Sequence, residues 1–133
     1  MFLLLLAANA NAAQVQARLV RASNDAKLDD ERLKALHAKL QKKFGYDFYQ
    51  QMGEKQEALV SDKTNRLDLG EGFVVFVTPK SVEKNVHELE FEWTSGKKSL
   101  VKSTVKIPEG RHLFVKGPGV ANDWIVLVLT VHE

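Results

Sequence analysis

A long stretch of strict alternation, at residues 86–107, constrains the fold of this chain more than any other feature. Its first half alternates His87, Leu89, Phe91 and Trp93 with Glu88, Glu90 and Glu92, and its second half alternates Val101, Ser103, Val105 and Ile107 with Lys102, Thr104 and Lys106. Period-two alternation predicts half-buried β-strands, and the Ser95-Gly96 turn between the halves predicts an antiparallel hairpin. A slip of one residue would point the side chains of Phe91 and Trp93 towards solvent, so the buried face fixes the pairing register of the hairpin.

The three glutamates of this hairpin form a row of carboxylates on its exposed face. Residues i, i+2 and i+4 of a strand stand apart along the surface, so Glu88, Glu90 and Glu92 do not converge as a glycosidase or Ca²⁺ site would require. We expect them to face lysines of the partner strand, each pair contributing roughly 0.2–1 kcal/mol. The row is therefore predicted to be solvated and available for interaction.

One convincing helix is predicted, at residues 27–44. Its apolar stripe recurs at steps of three and four residues and consists of Leu33, Leu36, Leu40 and Phe44. Acidic residues at its start and lysines near its end complement the helix dipole, and Asp29 or Asp30 is placed to cap it. Gly45 supplies the left-handed stop, and His37 is expected at the boundary of the stripe.

Three aromatic residues follow the helix directly: Tyr46, Phe48 and Tyr49. They fit two roles, anchoring the helix end against a sheet or forming a binding surface, and packing under a helix terminus is the commoner of the two. With Glu88, Glu90 and Glu92 they make up the candidate interaction surface.

Shorter strand patterns fill the rest of the chain, at residues 15–21, 56–61, 66–69, 73–78, 111–115 and 124–131. Two of them, 73–78 and 124–131, are apolar on both faces, so we expect central strands, one covered by the helical stripe. Pro79 is expected to end the former strand, and Gly117-Pro118-Gly119 to form a loop before the latter.

These patterns predict a mainly β protein with one helix, an α+β fold. The expected architecture is a two-layer antiparallel β-sandwich of seven or eight strands, with the helix inserted after the first strand and lying against one sheet. An OB-like open barrel, with the helix plugging one end, is the alternative.

The composition excludes several classes of function. A net charge of +2, with 19 basic and 17 acidic residues dispersed along the chain, does not favour nucleic acid. The absence of cysteine excludes disulfides and thiolate-bound metals. The four histidines are scattered without metal-ligand spacing, and no hydrolase or phosphate-binding motif occurs. We expect a protein that is not an enzyme and has no catalytic, metal or cofactor-binding residues.

The first residues resemble a processing segment. Residues 2–8 form a short apolar run, followed by two small-x-small cleavage signals that end at Ala10 and Ala12. The run is too short to span a bilayer, which needs about 20 residues. No Lys or Arg precedes it, which indicates a start truncated at this end. We expect residues 1–13 to be signal-like, residues 14–133 to form a single domain, and the protein to be exported to the periplasm or the cell surface.

Four segments resemble a known group of proteins: VQARLVRASND at 15–25, LKALHAKLQKKFGYDFY at 33–49, LDLGEGF at 67–73, and the final KGPG…WIVLVLTVHE at 116–133. The chain is similar to small exported proteins encoded beside type IV pilus-like assembly genes in Akkermansia and related Verrucomicrobia. The resemblance implies an immunoglobulin-like β-sandwich with a structural or accessory role in such machinery. Ordinary type IV pilins differ by a long hydrophobic N-terminal helix, so an accessory subunit fits this chain better.

Two hypotheses for function follow. The first is a structural or interaction module whose partners are pilus- or secretion-type envelope proteins or a second copy, reached by strand addition to a free edge formed by the first strand or by the strand at 111–115. The second is a periplasmic or surface domain that binds a ligand such as a glycan on exposed rings of Tyr46, Tyr49 or Trp124. At least two of those rings would then share one concavity.

Export predicts proteolytic processing. Cleavage after Ala12 or a neighbouring residue would leave a mature chain that begins near Gln14. The intact mass of the protein from its native envelope fraction measures this directly, and recovery of the uncleaved chain from the cytosol would contradict the prediction.

Overall fold

The computed structural model describes residues 13–24, 30–120 and 122–133. The elements follow in the order β1 (Gln14–Ser23), a 3₁₀-helix (Glu31–Leu33), α1 (His37–Phe44), β2 (Phe48–Ala58), β3 (Asn65–Gly70), β4 (Phe73–Glu83), β5 (Val86–Ser95), β6 (Lys98–Pro108), β7 (His112–Val120) and β8 (Asp123–His132). Residues 1–12 of the predicted signal-like segment, and 27–29 of the predicted helix, lie outside the described residues.

Two four-stranded antiparallel sheets form the layers of a sandwich. The first sheet has the order β2-β1-β8-β7 and the second the order β3-β4-β5-β6. The predicted mainly β fold, with two layers and a helix after the first strand, is confirmed. Every strand pairs with a chain neighbour, and β1 pairs with β8, so the order is a meander and not the Greek key of immunoglobulin domains.

Alternate residues of the strands fill the space between the sheets. The inward face of the first half of the hairpin is buried as predicted, with Leu89 and Trp93 fully inaccessible and Phe91 nearly so, whereas in the second half Val101 and Val105 are half-buried and Ser103 is exposed. The core also takes Val15, Ala17 and Leu19 from β1, Val75 and Val77 from β4, and Leu127, Leu129 and Val131 from β8. The hairpin register is as predicted, since Glu88 lies opposite Lys106 and Glu92 opposite Lys102.

A second apolar cluster lies on the outer face of the first sheet. Leu33, Leu36 and Leu40 are buried against the outward side chains of β1 and β8, which are Val20, Ala22, Val126 and Val128. The helical stripe therefore covers β8, one of the two strands predicted to be apolar on both faces. The helix lies across a sheet and not at an end of the sandwich, so the alternative of an end-plugged barrel is wrong.

The predicted helix is not continuous in its described part. Hydrogen bonds from Leu33 N to Asp30 O and from Leu36 N to Leu33 O span three residues, and a regular α-helix begins only at His37. Three-residue spacing eclipses side chains i and i+3, which points Leu33 and Leu36 at the sheet together. Gly45 ends α1 in the left-handed region, with φ of 81°, as predicted.

Several strands run further than their patterns predicted. β1 continues through residues 22 and 23, and β2 begins at Phe48, although it ends at Ala58, before the end of its predicted range.

Two prolines also lie inside strands: Pro79, expected to end one, and Pro118, expected in a loop. Pro79 occupies β4 at a register shift, and Pro118 occupies β7 at another. Pro118 lies between the paired residues Lys116 and Gly119, outside the ladder with β8, so it removes no ladder hydrogen bond. Pro79 pairs with Leu89 of β5, and the residue left outside that ladder is its neighbour Lys80.

The two sides of the sandwich differ in how closely the sheets approach. On the β2–β3 side, a Cβ built at Gly53 would overlap the carbonyl oxygen of Leu69 and lie 2.9 Å from its carbonyl carbon. Only glycine permits this backbone approach, and it closes that side of the core.

The helical segment is tied to β2 through Asp30. Its carboxylate accepts hydrogen bonds from the backbone N–H of Arg32 (3.0 Å), from the Arg32 guanidinium (2.8 and 3.0 Å), and from the backbone N–H of Gln51 in β2 (2.9 Å). The Asp30 pKa is lowered from 3.8 to about 2, chiefly by the hydrogen bonds from the Arg32 guanidinium and also by the backbone N–H groups of Gln51 and Arg32, against the opposing effect of burial. Asp30 thus caps the 3₁₀-helix and satisfies a strand donor at once.

The substitution Gly53→Ala should destabilise the fold by about 1–3 kcal/mol, because the new methyl group meets backbone and not a mobile side chain. Denaturant unfolding measures the loss. Gly119→Ala is the matched control, since its Cβ would come no nearer than 3.4 Å to any atom outside its chain neighbours. Equal stability of Gly53→Ala and the wild type would contradict the close approach of β2 and β3.

The substitution Asp30→Asn should lower the free energy of unfolding by about 1 kcal/mol at pH 7, because an amide leaves charged and backbone donors without an anionic acceptor. The folded-state pKa lies below 3.8, so the carboxylate stabilises the fold above about pH 4 and loses this effect as the pH falls towards 2. The difference between wild type and variant should shrink over that window. Asp62→Asn, at a residue with a 76% exposed side chain, is the control. A difference independent of pH would contradict this assignment.

Candidate functional site

The outer face of the second sheet carries the predicted row of glutamates. In the described part of the chain no helix crosses this face, and strand register aligns Arg66, Phe76, Glu92 and Lys102 across it. A shallow depression of about 310 Å³ lies beside Phe76 and is lined also by Thr78, Glu90 and Lys102. It is an open, mixed-charge surface and not an enclosed pocket.

The three glutamates have separate surroundings. Glu90 lies 3.6 Å from the Lys80 ammonium, and Glu88 accepts a hydrogen bond from the Ser81 hydroxyl at 3.4 Å. Within the described ranges, no group of three His, Asp or Glu side chains is arranged to hold a metal ion. The carboxylates of Glu88, Glu90 and Glu92 therefore stand as independent surface charges.

The aromatic residues after the helix divide between the core and its margin. Tyr49 is 1% exposed in the cluster under the helix, where its ring meets His37 edge-on at 5.5 Å between centroids, and burial raises its pKa to about 12. Tyr46 and Phe48 are half-buried. The expectation that Tyr49 belongs to an interaction surface is thus corrected: its ring anchors the helical segment to the sheet, and only Tyr46 and Phe48 remain partly accessible.

The rings proposed as stacking platforms for a glycan are packed by neighbours. Tyr49 is buried, Tyr46 packs against the helix cluster, and Trp124 is half-buried with the Lys116 ammonium 4.0 Å from its ring centroid. None of the three lines the depressions described here. This arrangement favours the packing role over the ligand-binding one.

A buried histidine joins the hairpin to the following turn. His87 is 3% exposed, and its Nε2 lies 2.8 Å from a carboxylate oxygen of Glu109 beside a depression of about 370 Å³. His87 Nδ1 is buried without a partner among the described residues, and the nearby Ser81 hydroxyl bonds to Glu88 instead. Nucleophilic catalysis needs a nucleophile hydrogen-bonded to its base, and among the described residues no hydroxyl nucleophile is bonded to the His87 ring. The contact of His87 with Glu109 links the hairpin to the turn after β6.

The side of the sandwich formed by β6 and β7 is open. Each of these strands pairs with only one neighbour in the described sheets. Four apolar side chains on this side are only half-buried against the core: Val101 and Val105 from β6, and Leu113 and Val115 from β7. The Trp93 ring lies beneath Gly117 of β7 and fills one end of the opening. Two adjacent free edges thus flank an incompletely covered stretch of core.

The free edges only partly match the prediction. The strand predicted at 111–115 lies within β7, an edge strand, as proposed. The first strand lies between β2 and β8, so its proposal as an edge is wrong: it pairs on both sides. The other edge strand on this side, β6, was not predicted as an edge. The sequence of β6 does contain an indication of an edge strand, because charged side chains, lysine above all, are typical of strands at the edge of a sheet.

Comparisons with known proteins identify no family. No family model matches the chain, and no curated protein matches it. Among solved structures, the chain is similar to the cryo-EM structure of the type II secretion system secretin XcpQ from Pseudomonas aeruginosa, with 10% sequence identity and a TM-score of 0.39. The match covers 91% of this chain and spans 55% of the secretin chain. A TM-score this low does not establish a shared fold.

No helix in the described ranges is long and apolar enough to cross a membrane.

Proposed function

We propose that this protein is a non-enzymatic domain exported to the cell envelope, where it acts through protein–protein contacts as a structural or accessory subunit of type IV pilus-like assembly. The observation that carries the protein-contact role is the open side of the sandwich. There, two free edge strands, β6 and β7, flank half-buried apolar residues.

An open side of this kind favours association. The unpaired backbone groups of an edge strand are a template for another strand, and most folds cover or blunt them. On the opposite side β2 and β3 also pair with one neighbour each, but their backbones approach closely at Gly53 and Leu69, so the more open pair of edges is that of β6 and β7. A partner seated at β6 or β7 would both pair the backbone and complete the cover over Val105 and Val115.

Sequence features support the rest of the proposal. Export rests on the short apolar run and the small residues that follow it at residues 1–13, and the link to pilus-like machinery rests on the resemblance in segments 15–25, 33–49, 67–73 and 116–133. The non-enzymatic role is supported by the separation of Glu88, Glu90 and Glu92 and by the engagement of His87 with Glu109.

Site-specific photo-cross-linking tests this function. A photoreactive residue at Ser103, exposed on β6, should capture pilus-type or secretin-type subunits in the native envelope fraction, identified by mass spectrometry. The same residue at Glu57, exposed on β2, is the matched control and should not capture them. Such a contrast is expected because β6, unlike β2, faces the open side.

Two outcomes would contradict the proposal. Equal capture at residues 103 and 57 would remove the link between the open side and binding. Absence of any envelope protein at either position, with the protein correctly exported and folded, would overturn the assembly role itself.

A further inference from the structure

We propose that the free edge of β6 accepts an extended polypeptide segment in which acidic and apolar residues alternate. This inference rests on the proposed role in protein contacts and specifies the chemistry of the partner. It follows from the strand that already occupies the other edge of β6.

The pairing of β5 with β6 shows what a partner of β6 looks like. β5 alternates glutamates with apolar residues, and the register sets Glu88 opposite Lys106 and Glu92 opposite Lys102. On the inner face it sets Leu89 opposite Val105 and Trp93 opposite Val101. A second strand on the free edge would meet the same β6 side chains from the other side, so the same pattern is complementary there.

The charge on β6 is unbalanced. Its sequence, KSLVKSTVKIP, contains three lysines and no acidic residue. Lys102 and Lys106 are exposed, and no described carboxylate lies within 4.0 Å of either ammonium group. Carboxylates on an incoming strand would therefore find cations that are not already held in close ion pairs.

The same lysines act against self-association through this edge. If two copies paired β6 against β6, lysines of one strand would lie opposite or diagonal to lysines of the other, and like charges across a ladder are destabilising. An acidic partner escapes this repulsion. The edge thus discriminates by charge between a second copy and a carboxylate-bearing segment.

The inner face supplies the apolar half of the recognition. Val101 and Val105 are half-buried, as are Leu113 and Val115 across the opening on β7. Apolar residues of an added strand would point to this side and cover these four, while its acidic residues would point outward to the lysines. A one-residue slip of the guest would exchange these faces, so the pattern also fixes its register.

A pair of peptides tests the inference on the full chain. The first is a fluorescent copy of β5, VHELEFEWTS, and the second is VHKLKFKWTS, which differs only in charge. We expect the acidic peptide to bind at least tenfold more tightly by fluorescence anisotropy, with an affinity that falls as salt rises. Hydrogen exchange should show new protection in β6, without loss of protection in β4.

Charge-removing variants locate the effect. Lys102→Gln with Lys106→Gln should abolish the preference for the acidic peptide without setting like charges opposite Glu88 and Glu92. Lys55→Gln with Lys63→Gln, at exposed lysines away from this edge, should retain it. Circular dichroism checks that both variants are folded.

Three outcomes would overturn the inference: equal affinity of the two peptides, new hydrogen-exchange protection outside β6, or an equal loss of the preference for the acidic peptide in the control variant. Absence of acidic-peptide binding would overturn it as well, while capture of envelope subunits at Ser103 would still support the proposed function. Conversely, peptide binding without any captured subunit would support the edge specificity and contradict the assembly role.

Discussion

The pairing of β1 with β8 is the contact on which the rest of this structure depends. These strands lie at opposite ends of the described chain, and their ladder runs from Gln14–His132 to Ala22–Trp124. Their inward side chains, including Leu19 and Leu127, form part of the sandwich core, and their outward ones form the floor beneath the helix. Loss of the pairing between β1 and β8 would therefore expose both apolar clusters at once, because the two faces of these strands contribute to different clusters.

Backbone approach makes the sandwich asymmetric, and the asymmetry places its exposed strand edges. Gly53 lets β2 lie directly against Leu69 of β3, which seals one side of the core. On the other side, the wide Trp93 ring lies beneath Gly117 and leaves Val101, Val105, Leu113 and Val115 half-covered. Of the two edge strands there, β6 carries three lysines, and like charges across a ladder disfavour pairing of β6 with a second copy of itself.

The surface available for interaction contains fewer residues than the six that the sequence suggested. Tyr49 is buried in the apolar cluster under the helix. Asp30 fixes the helical segment that covers this cluster, because its carboxylate accepts a hydrogen bond from the backbone N–H of Gln51 in β2. Glu88 and Glu92 face lysines across the hairpin, so part of their charge serves the pairing of β5 with β6. What remains for recognition is the free edge of β6, which has Lys102 and Lys106 on its outer face and the half-buried Val101 and Val105 on its inner face.

The hairpin register, the apolar helical stripe, the two-layer class and the approximate positions of most strands could be predicted from the sequence, because each depends on the periodicity of neighbouring residues. The sequence also determined the helix stop at Gly45, a local backbone requirement. Three features emerge only once the sheets are assembled: the central position of β1 and the edge position of β6, the placement of Pro79 and Pro118 inside strands at register shifts, and the burial of Tyr49. Those features depend on which distant strands pair, and residues with the same alternation fit a central or an edge strand equally well until the partners are in place.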